Sequence, residues 1–190
     1  MSLMGSRFPS GRLVIVVLIL SIALWAAMVL GTLARVQALA GGLTPFDLRP
    51  FGYDHADAVK LLTALGEQGR DFYARVQLRL DAVYPALYAI SRALAIWWLT
   101  QPGRIAGRTV PLGLRVALLI APALTMVFDY RENAGIAAML AAGAAADAGL
   151  VAAASLTTQI KSLAGTLTEL TAIILAATAV IGWWRRRAAT

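Results

Sequence analysis

The chain has 190 residues, 59% of them hydrophobic and only 14% charged, which is more apolar than a soluble domain of this size. It contains no cysteine, so disulfides, thiolate metal sites, thiol redox chemistry and a cysteine nucleophile are excluded. The net charge of +7 would suit nucleic acid, but its placement points elsewhere. Arg7, Arg12, Arg104, Arg108, Arg185, Arg186 and Arg187 lie in three short segments, 1–12, 101–109 and 183–190, which hold no Asp or Glu and border long apolar runs. That is the positive-inside pattern of membrane insertion, and no nucleic-acid partner is expected.

Taken in chain order, residues 13–34 are free of charge and long enough to cross a hydrocarbon core of ~30 Å. A cleaved leader is the rival reading, because Ala38-Leu39-Ala40 is a small-x-small site. The run exceeds a signal core of ~7–15 residues, however, and Arg35 intervenes, which favours a retained first span. Residues 35–79 then mix charges with Gly and Pro and read as an extracytoplasmic loop. Within it, Asp54 and Asp57 mark a helix start and Gly66 a stop. The short amphipathic helix between them places Ala58, Leu61, Leu62 and Leu65 on one stripe, either on the membrane surface or capping a bundle. His55, at its start, reads as a surface residue.

A longer helix is predicted from near Arg70 to Thr100 with Pro85 as its only interruption, and residues 80–100 are the second span. Trp97 and Trp98 suit the cytoplasmic interface. Residues 110–129 form the third span, ended by the polar run 129–133. The Ala/Gly-rich stretch 134–154 is predicted to continue the third helix, turn near Gly143 to Gly149 and start a fourth helix near Leu150, whose span is 163–184. The alternative, a fifth span over 134–154, would put the arginine-rich C-terminus outside. Small residues there suit close helix packing in lipid. The expected fold is all-α: a single membrane domain over 1–190, a four-helix bundle with a short amphipathic helix between spans 1 and 2.

Ionisable residues within spans are costly, about 2.5–3.5 kcal/mol at a span centre, and need partners. Asp81 lies 17 positions from Trp98, about 25 Å along a helix, and Asp129 stands at a similar height above Val110. Lys161 and Glu169 fall in the same outer half of the fourth helix. On the second helix, Asp81, Tyr84, Pro85, Tyr88 and Arg92 share a stripe; on the third, Asp129 and Asn133 do, with Glu132 beside them. The expectation is an interhelical polar cluster of Asp81, Tyr84, Tyr88, Asp129, Glu132, Asn133, Lys161 and Glu169. Lys161, Arg131 or Arg79 are the candidate counter-charges. Arg92 and Arg115 read as snorkelling side chains near the inner interface. A helix-to-helix clamp by hydrogen bonds explains such a cluster without any ligand. Were the protein an enzyme, Asp81 and Asp129 would be its acid–base pair, with the tyrosines placing a substrate hydroxyl.

The segments FGYD (51–54), LLTALGEQGRDFY (61–73), LDAVYPALYA (80–89) and FDYREN (128–133) resemble a type of small bacterial four-span integral membrane protein. That resemblance covers roughly residues 46–185 and implies a fold and topology, not a reaction. Similarity to four-span sterol-isomerase and emopamil-binding proteins is architectural only, and no residue role is carried over from them. No nucleotide loop, nucleophile motif or metal signature is present, and no cofactor is expected. The functional expectation is therefore a non-enzymatic multi-pass protein of the cell inner membrane with both termini cytoplasmic. It would act as an accessory subunit, in a hetero- or homo-oligomer, or bind a membrane lipid or lipid-like ligand at the polar cluster. The alternative is a membrane-embedded acid–base enzyme acting on an isoprenoid, sterol-like or phospholipid substrate. A transporter is disfavoured by the small number of spans and by the lack of an evident pair of broken helices.

Overall fold

The computed structural model describes residues 9–105 and 109–188, so Arg7 and Arg108 lie outside the described residues. Four helical rods follow one another: α1 (Gly11–Leu39), α2 (His55–Leu99), α3 (Leu112–Ala145) and α4 (Ala148–Ala188). Together they form an all-α four-helix bundle. Each rod is long and apolar enough to cross a membrane. The caps are local. Ser10 Oγ accepts from the Leu13 amide at 3.2 Å, Asp54 Oδ1 from that of Asp57 at 2.7 Å, and Asp147 Oδ1 from those of Gly149 and Leu150 at 2.8 and 3.2 Å.

α3 and α4 form a long antiparallel hairpin turning at residues 143–147, as the sequence predicts. Their backbones approach closely where small residues face each other. A Cβ built on Gly135 would stand 2.9 Å from that of Ala154, so part of the Ala/Gly-rich stretch is consumed by packing inside the chain. The last third of α2 lies against α1, α3 and α4, whereas α1 and α4 have no extensive packing between them. That asymmetry leaves a lateral gap.

The bundle has two ends of different character. At the head end, the last turns of α1, the loop 41–53, the first part of α2 and the α3–α4 turn enclose a core of Val36, Phe46, Leu61, Leu62, Tyr73, Ile136, Met139 and Val151. Each such side chain is worth about 1.5–3 kcal/mol where it is withdrawn from water. Ala58, Leu61, Leu62 and Leu65 are all buried, so the predicted short helix caps the bundle and does not lie flat. It is continuous with α2, interrupted at Gly66, whose φ of 59° and ψ of −169° only glycine adopts readily. His55 Nε2 lies 3.0 Å from the Ala146 carbonyl and ties this helix to the α3–α4 turn.

At the opposite end the pattern inverts. Ile15 and Ile19 of α1, Leu112, Val116 and Ile120 of α3, and Ile173, Ile174, Val180 and Ile181 of α4 all face outward. Here Arg104 stacks on Trp98 at 3.7 Å, Arg115 on Trp97 at 4.0 Å and Arg187 on Trp183 at 4.1 Å. Gly11 abuts Trp98, and Arg186 Nη1 donates to the Gly103 carbonyl at 3.2 Å. The beginning of α1, the α2–α3 connection and the end of α4 therefore share one end of the bundle.

Several boundaries differ from the sequence reading. α1 runs on to Leu39, because nothing in 35–39 stops a helix and Val36 has a core to enter. α2 resumes directly after Gly66. The helical hydrogen-bond pattern is also interrupted at Ala82–Val83 in α2 and at Leu118–Leu119 in α3, just ahead of Pro85 and Pro122, while all four residues keep right-handed helical dihedrals and both rods stay continuous. Both α1 and α2 contain a π-turn, Met28–Leu33 and Tyr73–Gln77, and these face each other through a hydrogen bond from Thr32 to Gln77.

Candidate functional site

The interruption in α2 has a chemical consequence. Pro85 has no N–H to return to the Asp81 carbonyl, which is left without its helical donor. Asn133 of α3 supplies one from Nδ2 at 2.9 Å, and Tyr130 donates to the Ala82 carbonyl at 3.1 Å. α3 thus splints α2 at its weakest turn, and the carboxyl of Asp81 is carried into the interior, 3% exposed.

Around that point the helices surround a half-enclosed cleft of about 730 Å³. One wall belongs to α1 and, apart from Ser21 at its edge, is apolar: Ile22, Trp25, Met28, Val29 and Leu33. The floor is polar, formed by Asp81, Tyr84, Tyr88 and Arg92 of α2, Thr125 and Asp129 of α3, and Lys161, Gly165 and Glu169 of α4. Because α1 and α4 do not pack closely, the cleft opens sideways between them. Its volume is in the range of small-molecule sites.

Charges in the floor are paired in two groups. Lys161 Nζ lies 3.4 Å from Asp129 Oδ1 and makes an ion pair with Glu132, which is fully buried behind it. Arg92 Nε donates to Glu169 Oε1 at 2.8 Å while its guanidinium lies over the Tyr88 ring at 4.8 Å. Tyr84 and Tyr88 rings are 5.9 Å apart, and the Tyr88 hydroxyl donates to the Gly165 carbonyl at 3.4 Å. The Asp81 carboxylate makes no ion pair among the described residues.

Of the residues singled out from sequence, Asp81, Tyr84, Tyr88, Asp129, Lys161 and Glu169 line this one cleft. Glu132 stands behind Lys161, and Asn133 acts through the α2 backbone. Lys161 is the counter-charge. Arg131 is instead exposed with its guanidinium 5.9 Å from the Phe128 ring, and Arg79 is exposed. Arg92 is bound to Glu169 of α4. Arg115, 7% exposed, is held inside, donating to Thr100 Oγ1 at 3.2 Å and to the Trp97 carbonyl at 3.3 Å near the C-terminus of α2.

Asp47 is the residue that the sequence reading passed over. It sits in a 3-10 turn, Phe46–Leu48, within the mixed-charge loop, and accepts a hydrogen bond from the buried Tyr73 hydroxyl. The loop is anchored on both sides of it: Phe46 packs on Tyr53 with ring centroids 4.7 Å apart, and the Tyr53 amide donates to Ser155 Oγ at 2.9 Å. Burial pushes the Tyr53 hydroxyl well above the ordinary tyrosine pKa, so it remains neutral. Gly52, at φ 84°, lets the loop approach Ser155 and Gln159 where a Cβ would collide. Asp47, Leu48 and Pro50 consequently close the head end of the cleft.

Comparison with family models, curated proteins and solved structures yields no match, so the site is read from its own geometry.

Proposed function

We propose that this chain is a multi-pass membrane protein that holds a lipid-like ligand in the cleft between α1 and α4, without chemistry on it. The observation that carries the reading is the cleft itself: an apolar wall from one helix facing a polar floor from three others, with a lateral opening at the height where apolar side chains face outward. An amphiphile matches both surfaces and enters without leaving the bilayer. The shared end occupied by the beginning of α1, the α2–α3 connection and the end of α4 carries the acid-free arginine segments. By the positive-inside rule this end faces the cytoplasm of an inner membrane, with the head outside. Purification in mild detergent followed by native mass spectrometry tests the ligand: a retained lipid is expected, and a bare protein without lipid or partner would overturn it.

A second reading, an acid–base enzyme on an isoprenoid, sterol-like or phospholipid substrate, is supported by the inequivalence of Asp81 and Asp129. One carboxylate is ion-paired and the other is not, in the same cleft, beside two tyrosines. The Asp81→Asn and Asp129→Asn variants decide it: an altered lipid profile of the native membrane is its expectation, and an unchanged profile removes it. An accessory-subunit role has weaker support, since part of the small-residue surface is already used within the α3–α4 hairpin.

A further inference from the structure

The cleft is not chemically neutral towards head groups. Both of its cations are already committed, Arg92 to Glu169 at 2.8 Å and Lys161 to Glu132 and Asp129. An anionic head would have to displace an internal carboxylate to reach either of them. The unsatisfied groups are of the other kind. Asp81 is 3% exposed and lines the cleft, yet its carboxylate has neither an ion-pair nor a hydrogen-bond partner among the described residues. Asp47 Oδ1 is buried without a hydrogen-bond donor, whereas Asp129 Oδ1 already faces Lys161 Nζ at 3.4 Å. Buried acceptors of this sort are seldom left unpaired, and each missing donor is expensive. What is missing from the floor is therefore positive charge carrying several N–H donors.

We propose that the cleft takes an amphiphile with a primary ammonium head, seated between Asp81 and Asp47, its apolar tail leaving along Trp25 and Val29 between α1 and α4. This deepens the lipid-binding reading and rests on it. An ammonium supplies three donors and one positive charge, which matches the unpaired carboxylate oxygens of Asp81 and Asp47 better than a phosphate or a hydroxyl does. The tail needs no polar partner, and beyond Ser21 the α1 wall is built of Ile22, Trp25, Met28, Val29 and Leu33. Asp47 gives the site a contact at its head end: it belongs to the loop that closes the cleft there, so an ammonium bound to it also ties that loop to the helices below.

The full chain in a non-ionic maltoside detergent is titrated separately with dodecylamine, dodecanol and dodecyl phosphate, following the thermal unfolding midpoint and displacement of any co-purified lipid. Dodecylamine is expected to raise the midpoint saturably and to displace the lipid, dodecanol to act weakly, and dodecyl phosphate to have no effect. In Asp81→Asn the apparent affinity for the amine should fall roughly tenfold or more, as the loss of a charge-assisted hydrogen bond implies. Glu67→Gln, the same change of charge on the exposed head, should leave it unaltered. If Asp81→Asn does not fold, the head-group series on the unaltered chain still decides. Phosphate binding as well as amine would overturn the ammonium assignment while leaving the lipid-binding reading intact. If no amphiphile stabilises the protein or displaces lipid, both fall. Equal amine affinity in Asp81→Asn and the unaltered chain would also reject the assignment.

Discussion

The splint between α3 and the interrupted turn of α2 makes a quantitative prediction. Replacing Asn133 with Ala removes the 2.9 Å donor to the Asp81 carbonyl, which Pro85 cannot replace. An unpaired carbonyl in a protein interior costs about 1–3 kcal/mol, and interhelical hydrogen bonds in membrane bundles average ~0.6 kcal/mol with a maximum near 1.7. Asn133 Oδ1 is itself buried without a donor, so the substitution also removes an unsatisfied acceptor, and the net loss should sit near 1 kcal/mol. The decisive version is a double-mutant cycle with Pro85→Ala, which restores an amide able to reach the same carbonyl. In that background Asn133→Ala should cost markedly less, leaving a coupling energy of about 0.6–1.7 kcal/mol. Reversible unfolding in mixed micelles measures all four corners of the cycle. Equal cost of Asn133→Ala with and without Pro85 would refute the splint, whatever the single-mutant values.

Lys161→Met strands Asp129 and Glu132 as buried carboxylates and should destabilise by about 3–5 kcal/mol, lowering folded yield severely. Neutralising both acids in the same chain (Asp129→Asn with Glu132→Gln) should recover most of the loss in the same unfolding assay. Gly135→Ala pushes a methyl to 2.9 Å from the Ala154 Cβ and should cost about 1–3 kcal/mol, with Ala154→Gly relieving it; additive losses would contradict the close approach. Gly66→Ala imposes a side chain at φ 59°, ψ −169° and should cost about 1–3 kcal/mol, read as a lowered unfolding midpoint, whereas Ala64→Gly, two residues away on the exposed helix face, should cost about 1 kcal/mol or less.

The four long apolar helices and the hairpin were legible because each rests on a signal carried by consecutive residues: charge-free runs, the polar breaks between them, and the Asp54 start with its Gly66 interruption. The floor of the cleft was legible for a related reason. Helical periodicity fixes which residues share a face, so Asp81, Tyr84 and Tyr88 fall together wherever the helix is placed. Two things were not readable in this way. Counting residues from tryptophans left Arg92 without its partner, because position along one helix does not reveal that Glu169 of α4 lies beside it. Asp47 was overlooked because its position depends on a loop pinned by Tyr73, Ser155 and Gly52, contacts that join residues up to 102 positions apart. Pro85 was recognised as an interruption, but the donor that compensates for it lies on another helix, and only packing reveals Asn133 in that role.

The α1–α4 cleft as a lipid site is the central claim, and a photoreactive benzophenone side chain placed at position 25 tests it most directly. Trp25 lines the cleft wall, while Ile173 faces outward on α4 and serves as the bilayer-exposed control. After illumination in native membranes and mass spectrometry of the purified protein, position 25 should give one dominant lipid adduct, and position 173 a mixture that mirrors the bulk membrane. Adducts of the same bulk composition at both positions, or none at position 25, would contradict the account.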